Sequence, residues 1–429
     1  MEIKIKPIEN IEGQTRMPGD KSISHRALLF SSLTEDTVEI EGLLQAEDTL
    51  ATRNCLSELG VEFEDNGETV KVKGKGLRGL EEPSNILDAG NSGTTARLLT
   101  GFLAGQPFYA TVTGDHSLRK RPMKRITEPL QKMGAYISGR HDNELLPLSI
   151  RGYDLLPINY ALPVASAQVK SALLAATLYS RGVSEIIDLY NTRDHTEKML
   201  SHLGVDIKKM GKHHIILKSP AKLNGKNIRI PGDISAAAFF MVAAALSPRG
   251  ELQIEEVGIN PSRSGIIDVL RVMGADVRIL NEKEQNNEPV GDLLIKGNGK
   301  LKGVEIGSEM IPRVIDEIPA IAVAALFAEG DTIIREAIEL RVKESDRLHT
   351  ITLELQKMGA SIQELPDGLI IKGNTKLKGG SCKSCGDHRI AMALATAALF
   401  AENESIINGI EAVENSFPNF FETMNGLAS

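Results

Sequence analysis

The stretch DHRIAMALATAALFAE, from Asp387 to Glu402, begins with an acidic cap-type residue and continues as an apolar, alanine-rich run of helical length. Five other stretches repeat this pattern at intervals of roughly 70 residues, which indicates an internally repeated chain. They are DKSISHRALLFSSL from Asp20, NSGTTARLLTGFLAG from Asn91, SAQVKSALLAATLYS from Ser166, DISAAAFFMVAAALS from Asp233 and DEIPAIAVAALFAEG from Asp316. The sequence therefore predicts six repeats, each opening with an apolar helix.

A second, amphipathic helix follows in each repeat and ends in Leu or Met and then Gly. The five clear cases are Leu59-Gly60, Met133-Gly134, Leu203-Gly204, Met273-Gly274 and Met358-Gly359, with Met424-Asn425-Gly426 as a looser sixth. Glycine just past the last helical turn is what a left-handed C-terminal cap requires. Short β runs follow the first five helices: VKVKG at Val70, LSIRG at Leu148, IILKS at Ile215, LLIKG at Leu293 and LIIKG at Leu369.

The sixth repeat stops at Ser429 before such a strand pair, and the N-terminal EIKIK of Glu2 to Lys6 resembles VKVKG. We therefore expect residues 1 to 17 to complete the last repeat. The chain would then cross twice between two three-repeat domains, at the PGD tripeptides near 18–20 and 231–233. The predicted domains are residues 18–231, and residues 1–17 together with 232–429.

Composition limits the classes of function. The chain has 429 residues, 41% hydrophobic and 25% charged, and a formal net charge of −8, so it has no overall basic surface for nucleic acid or an anionic membrane. Three cysteines give no disulfide framework and favour a reducing compartment. The N-terminus lacks the apolar run of a signal peptide, and the most apolar stretch, Ala236 to Leu246, is too short to span a bilayer. We expect a cytoplasmic protein.

Cations recur at the helix starts, where backbone N–H groups and the helix dipole favour an anion. Lys21, Ser22 and Arg26 lie within the first two turns of the first repeat, whereas the fourth repeat opens at Asp233 without a cation. The second helices are basic at the same end, over residues 119–125, 192–195 and 341–347. A single charge run is usually a solvated surface, but its recurrence predicts a cationic cleft between the two domains.

Acidic residues in this region are few, and Asp316 and Glu344 stand near the cations. Each is either a structural salt-bridge partner or a general base, and spacing alone does not decide between these roles. Cys382 and Cys385 with His388 form one CxxC without a second ligand pair, which favours inert thiols over zinc. No Walker-type phosphate loop, HExxH or GxGxxG behind a strand is present, so ATP and nicotinamide chemistry have no support in the sequence.

Eight blocks resemble, in order, those of the 5-enolpyruvylshikimate-3-phosphate synthase family, and the resemblance covers essentially the whole chain. They are PGDKSISHRAL, DAGNSGTTARLL, GDHSLRKRPM, ASAQVKSALL, TRDHTEKML, IDEIP, ELRVKESDRL and GDHRIAMA. The resemblance implies an α/β fold of two similar domains, each with three βαβαββ repeats about a pseudo-threefold axis, described as an inside-out α/β barrel. It also implies a transferase that moves the enolpyruvyl group of phosphoenolpyruvate to the 5-hydroxyl of shikimate 3-phosphate and releases phosphate, with no metal or organic cofactor.

The resemblance further implies the site residues. Those for shikimate 3-phosphate are Lys21, Ser22, Arg26, Ser166, Ala167, Gln168, Arg193, Asp316 and Lys343. Those for phosphoenolpyruvate are Lys21, Gly93, Arg121, Gln168, Arg347 and Arg389, with Asn91, Thr94 and His388 lining the pocket. Asp316 is the implied proton acceptor, and Lys21 and Glu344 are the implied donors to the methylene carbon. Many members have a serine at the position of Ala167, so one hydroxyl contact to the phosphate is lost here.

Two alternatives stay open. One is the sibling transferase acting on UDP-N-acetylglucosamine, which typically has a cysteine in the loop that corresponds to Gly114–Leu118 and Lys-Asn in place of Lys21-Ser22. The other is a non-catalytic anion-binding protein on the same scaffold, although pure anion binding needs no base such as Asp316. The substrates are the only partners expected, with no nucleic acid, no membrane and a monomeric state.

Overall fold

The six apolar stretches are helices in the computed structural model, which describes all of residues 1–429. The helices are α1 (Lys21–Ser32), α2 (Glu47–Glu58), α3 (Gly93–Leu103), α4 (Lys124–Lys132), α5 (Arg140–Asn143), α6 (Ala167–Thr177), α7 (His195–His202), α8 (Ile234–Leu246), α9 (Gly265–Val272), α10 (Ile311–Val314), α11 (Ile318–Phe327), α12 (Arg347–Lys357), α13 (His388–Ala398) and α14 (Phe420–Leu427). The opening helices of the repeats are α1, α3, α6, α8, α11 and α13, and α8 is buried along its whole length. The six-repeat prediction is confirmed.

The glycines after the second helices have the predicted left-handed backbone. Gly60, Gly134, Gly204, Gly274 and Gly359 all have φ between 84° and 101°. Their missing side chain removes the steric cost of this conformation, so each helix ends where its glycine stands. The sixth case was wrong, because Gly426 lies inside α14 and does not cap it.

The strands form six separate sheets. They are β1 (Glu2–Ile5), β2 (Glu12–Arg16), β3 (Thr37–Glu41), β4 (Glu62–Asn66), β5 (Thr69–Lys73), β6 (Leu87–Asp88), β7 (Tyr109–Thr113), β8 (Tyr136–Gly139), β9 (Leu145–Arg151), β10 (Asn159–Ala161), β11 (Gly182–Ile187), β12 (Ile207–Met210), β13 (His214–Ser219), β14 (Ile228–Arg229), β15 (Glu251–Gly258), β16 (Asp276–Gln285), β17 (Glu288–Lys296), β18 (Glu305–Ile306), β19 (Thr332–Ile334), β20 (Ile362–Leu365), β21 (Gly368–Ile371), β22 (Ser381–Lys383) and β23 (Ser405–Asn408). Five sheets have four strands, in the orders β14-β3-β5-β4, β6-β7-β9-β8, β10-β11-β13-β12, β16-β17-β15-β2 and β18-β19-β21-β20. The sixth is β1-β23-β22, and no sheet closes into a barrel. The predicted α/β fold is confirmed.

The edge strands correct the expectation that all of residues 1–17 complete the sixth repeat. β1 pairs antiparallel with β23, so the N-terminus completes the sixth repeat as predicted. β2 instead pairs in parallel with β15 of the fourth repeat. β14, which directly precedes the fourth repeat, pairs in parallel with β3 of the first. The first and fourth repeats thus exchange their leading strands, because the chain crosses just after each of them.

The chain divides into two compact units. Unit I comprises Gly19–Ile230 and Gln285–Glu288, and unit II comprises Met1–Pro18, Pro231–Glu284 and Pro289–Ser429. Each has its own hydrophobic core, built mainly from the apolar faces of its three opening helices. No helix combines the length and apolarity needed to cross a membrane.

Candidate active site

Lys21 is the first residue of α1 and faces an acidic partner. The helix is capped by the Asp20 carboxylate, which accepts a hydrogen bond from the Ile23 N–H at 2.8 Å. The Lys21 ammonium lies 2.5 Å from Asp48 Oδ2, with both side chains largely buried. A cation in a first turn opposes the helix dipole, and Asp48 offsets that cost. Ser22 follows directly and is partly exposed.

Arg26 is held by α1, α6 and α7 of unit I. Its Nε donates to Thr196 Oγ1 at 2.7 Å, its Nη2 to Ser171 Oγ at 2.6 Å and its Nη1 to the Ser22 carbonyl at 2.8 Å. Burial lowers the pKa of Arg26 to about 10. The guanidinium therefore stays protonated at neutral pH and fixes the first turn of α1 that carries Ser22.

The start of α3 orients Arg121. Arg121 Nη2 donates to Asn91 Oδ1 at 2.7 Å and to Ser117 Oγ at 3.2 Å, and its Nη1 donates to the Asn91 carbonyl. Asn91 in turn donates to Asp115 Oδ2 at 2.6 Å. Gly93 is the first residue of α3, behind the Ser92 cap. Of the five basic residues in 119–125, Arg121 alone is buried, and the solvated-surface interpretation holds for the exposed Arg119 and Lys120.

Gln168 connects α6 to α3. Its Nε2 donates to Thr94 Oγ1 at 2.9 Å, and its Oε1 accepts from Arg97 Nη1 at 2.9 Å, which fixes the amide orientation. Ser166 caps α6 and accepts from the Val169 N–H, so its hydroxyl has a structural partner. Ala167 is the first residue of that helix and is half-buried.

The loop that carries Arg193 rests on a buried ion triad. Lys170 Nζ lies 3.0 Å from Asp188 Oδ2 and 2.7 Å from Glu197 Oε1, and it donates to the Thr192 carbonyl at 2.9 Å. The Thr192 N–H and hydroxyl both donate to Asp188 Oδ2. Burial opposes the charge of Lys170, but the two carboxylates outweigh it and raise its pKa. The triad therefore fixes the residue that precedes Arg193.

Asp316 is the acidic centre of unit II and precedes α11. Lys343 Nζ and Arg347 Nη1 lie 3.3 Å and 3.2 Å from its Oδ1. Arg263 Nη1 lies 3.4 Å from its Oδ2, and Arg389 Nη1 donates to its backbone carbonyl at 2.9 Å. Cations thus contact both oxygens of the carboxylate, which favours its ionised form.

Arg347 is buried among carboxylates. Its Nε lies 2.8 Å from Asp387 Oδ2, and its Nη2 lies 2.5 Å from Glu344 Oε2. Burial alone would lower the pKa of Arg347, but Asp387, Glu344 and Asp316 outweigh it and raise that pKa. His388 and Arg389 are the first residues of α13, behind the Asp387 cap, and both are buried.

The cysteine pair has no metal-binding partners. Cys382 is buried, Cys385 is exposed, and both are free thiols. Burial raises the pKa of Cys382 to about 11. No group of three or more His, Cys, Asp or Glu side chains in residues 1–429 could hold a metal ion.

The predicted residues therefore fall into two sets. Unit I brings together Lys21, Ser22, Arg26, Asn91, Gly93, Thr94, Arg121, Ser166, Ala167, Gln168 and Arg193, and unit II brings together Asp316, Lys343, Glu344, Arg347, His388 and Arg389. Sequence reasoning missed Asp48, Arg97 and Arg263. For Arg263 a signal existed, because it precedes the second helix of its repeat as Arg193 does.

Comparison with known proteins gives one consistent result. The family model described as EPSP synthase (3-phosphoshikimate 1-carboxyvinyltransferase) matches residues 5–424. A 3-phosphoshikimate 1-carboxyvinyltransferase of Pelotomaculum thermopropionicum is 50% identical over 425 residues, 99% of this chain and 98% of the relative. One of Alkaliphilus metalliredigens is 51% identical over 420 residues, 98% of each chain. A solved EPSP synthase of Acinetobacter baumannii superposes with a TM-score of 0.88 at 43% identity and covers 100% of this chain and 98% of that one.

Proposed function

The chain belongs to the EPSP synthase family and catalyses that family's reaction, and we propose which of its residues carry the reaction out. It is a transferase that moves the enolpyruvyl group of phosphoenolpyruvate to the 5-hydroxyl of shikimate 3-phosphate and releases phosphate. The reaction serves the shikimate pathway of aromatic amino acid synthesis. The match over residues 5–424 favours this activity over the UDP-N-acetylglucosamine reaction and over a non-catalytic role.

We propose that shikimate 3-phosphate binds to the α1 and α6 ends of unit I together with acids and cations of unit II. The residues are Lys21, Ser22, Arg26, Ser166, Ala167, Gln168, Arg193, Asp316 and Lys343. Support comes from Arg26 and the Lys170 triad, which hold the Ser22 turn and the Arg193 loop in place. Helix N-termini and arginine forks suit phosphate and carboxylate oxygens. At Ala167 the backbone N–H is the donor that remains.

Phosphoenolpyruvate is assigned to Lys21, Gly93, Arg121, Gln168, Arg347 and Arg389, with Asn91, Thr94 and His388 lining its pocket. Arg121 is oriented by Asn91 and Ser117 before any ligand binds. Preorganised cations stabilise charge that develops on the leaving phosphate without rearranging during the reaction. We propose that each unit is one domain of three repeats and that turnover requires the residues of both.

The attacking hydroxyl must lose a proton while the methylene carbon of phosphoenolpyruvate gains one. We assign the acceptor role to Asp316, because three cations favour its ionised form. Lys21 and Glu344 are the donors we propose. Each donor has an ion-pair partner in the structure, Arg347 for Glu344 and Asp48 for Lys21.

The acceptor preference is tested by phosphate release from phosphoenolpyruvate in two parallel reactions, one with shikimate 3-phosphate and one with UDP-N-acetylglucosamine. We expect release in the first reaction and none in the second. Release with UDP-N-acetylglucosamine alone would assign the chain to the sibling activity, and release with neither would contradict an enzyme.

Asp316→Asn tests the proton acceptor. The amide keeps the shape of the side chain and cannot take up the proton, so we expect kcat to fall about 100- to 10,000-fold. Asp331→Asn, at an acid of the same unit whose side chain is 42% exposed, is the matched control and should leave kcat unchanged. Full turnover by Asp316→Asn would remove the assignment.

We also propose a cytoplasmic monomer whose partners are its two substrates, without nucleic acid or membrane. The net charge of −8 and the three free cysteines support this. Sedimentation over a wide concentration range should give the mass of one chain throughout. A mass that rises with concentration would contradict the monomer.

A further inference from the structure

Arg263 is a buried arginine in the loop between β15 and α9. It is 2% exposed and is among the largest fully buried side chains. Its backbone is fixed by Asn260, whose carbonyl accepts from the N–H groups of Arg263 and Ser264 at 2.8 Å and 2.9 Å. The Asn260 side chain accepts from the Ser262 N–H at 3.0 Å. The loop thus holds the start of the Arg263 side chain in one place.

The guanidinium reaches the N-termini of two core helices of unit II. At α11, Nη1 lies 3.4 Å from Asp316 Oδ2 and 3.6 Å from Glu317 Oε1. At α8, Nη2 lies 3.6 Å from Asp233 Oδ1 and donates to the Ser235 hydroxyl. That hydroxyl donates to Glu317, which is fully buried. Arg263 therefore stands among three carboxylates and links the caps of α8 and α11.

We propose that Arg263 is a positioning residue for the reaction, which orients the Asp316 carboxylate through its Oδ2 and keeps it in its proton-accepting form. The inference rests on the assignment of Asp316 as the proton acceptor. Lys343 and Arg347 contact Oδ1, and Arg263 contacts Oδ2. Without Arg263, Oδ2 of Asp316 loses this contact, and the orientation of the carboxylate is less tightly fixed.

A second argument is electrostatic. Several charged groups face Asp316 from the elements packed against it: Arg263, Lys343, Arg347 and Arg389 as cations, and Asp233, Glu317, Glu344 and Asp387 as anions. Arg263 contacts Asp233, Asp316 and Glu317 together. Its removal leaves like charges close together in a buried site, which favours protonation of one of them. An acceptor that is already protonated cannot take the hydroxyl proton.

The test compares Arg263→Met and Arg263→Lys with the wild type in the pH profile of kcat. Arg271→Met is the matched control, because Arg271 lies on an exposed face of α9 and donates to the Val277 carbonyl outside the site. We expect both Arg263 variants to lower kcat at neutral pH, about tenfold or more for Met, with KM for both substrates within about threefold of the wild type. The acid limb of the kcat profile, where activity falls as the pH is lowered, should move to higher pH. We expect a shift of about one pH unit for Arg263→Met and a smaller one for Arg263→Lys.

An acid limb at the wild-type pH in both variants would overturn the inference, and so would a loss confined to KM. If Arg263→Met does not fold, Arg263→Lys decides by the same criterion, since it keeps the charge and loses the fork of donors. Asp316→Asn separates the two claims. Full turnover by Asp316→Asn ends the acceptor assignment, whereas an inactive Asp316→Asn beside an unshifted Arg263→Lys ends only the role of Arg263.

Discussion

Gly93 stands where the first turn of α3 meets two arginines. A Cβ at this position would lie 2.5 Å from Arg97 Nη1 and 3.3 Å from Arg121 Nη1. Both contacts are with the ends of flexible side chains, so the methyl group displaces them without breaking the helix. Because Arg97 also holds the Gln168 amide, one added methyl group disturbs two of the groups assigned to phosphoenolpyruvate.

We therefore expect Gly93→Ala to weaken phosphoenolpyruvate-site ligands about tenfold or more, by the loss of one or two charge-assisted hydrogen bonds. Shikimate 3-phosphate affinity should change much less. Titration calorimetry with each ligand type measures the difference. Equal losses for both ligand types would contradict the prediction.

His25 is a buried imidazole whose Nδ1 lies 2.7 Å from Thr52 Oγ1. Burial, with help from Lys21 and Arg26, holds its pKa well below the usual 6.5. The unfolded chain binds a proton at His25 below pH 6.5 and the folded chain does not, so this group destabilises the fold as the pH falls. Above pH 6.5 neither state is protonated and the effect vanishes.

His25→Gln keeps a polar side chain and removes the titration. We expect the stability of the wild type to fall relative to this variant by about 1.4 kcal/mol for each pH unit below 6.5, down to the depressed pKa. Urea unfolding at pH 7.5, 6.0 and 5.0 measures it, with the exposed His214→Gln as control. Parallel pH dependences of wild type and His25→Gln would be incompatible with a neutral buried His25.

At the scale of elements, α3 and α6 pack at backbone distance. A Cβ on Gly101 of α3 would lie 2.2 Å from the Ala172 carbonyl oxygen of α6, whereas a Cβ on Gly426 of α14 would meet nothing within 4 Å. Backbone atoms cannot move aside alone, so a side chain at Gly101 must push the two helices apart.

Gly101→Ala should therefore destabilise the protein by about 1–3 kcal/mol, the usual cost of overpacking. Gly426→Ala should be neutral or stabilise by up to about 1 kcal/mol, because alanine loses less backbone entropy in a helix. Urea unfolding of the two variants checks both signs. A Gly101→Ala variant as stable as the wild type would disprove the close packing.

The elements also show what the sequence could predict. Apolar helices behind cap residues and glycines at helix ends are local signals, and they located the helices and Lys21, Gly93 and Arg389 at helix starts. The exchange of β2 and β14 was not predictable, because the crossing positions do not specify which edge a strand joins and β14 has only two residues. Arg263 lies in a serine-containing loop whose composition is typical of a protein surface. Its burial depends on contacts with Asp233 of its own repeat and with Asp316 of the next.

At the scale of the whole molecule, the two units have separate hydrophobic cores. Phe102 packs on Phe30 in unit I with ring centroids 5.2 Å apart. Phe420 packs on Phe240 in unit II with centroids 5.4 Å apart. Since each core is built from residues of one unit, a cavity in one should loosen that unit first.

Phe102→Ala should cost about 3–5 kcal/mol and accelerate amide hydrogen exchange in unit I more than in unit II. Phe420→Ala is the reciprocal variant and should accelerate exchange in unit II. Mass spectrometry of exchanged peptides from both units measures the pattern. Uniform acceleration over both units by either variant would show that the protein unfolds as one cooperative body.

The pairing of β1 with β23 has a consequence for biosynthesis. Glu2 lies opposite Asn408, so β1 leaves the ribosome long before its partner strand β23. At about 5–20 residues per second that wait is roughly 20–80 s. Residues 19–230 emerge as one continuous segment during that time and can collapse around their own core. The nascent chain therefore carries an unpaired edge strand while residues 19–230 can already collapse. During this period aggregation or chaperone binding competes with native pairing.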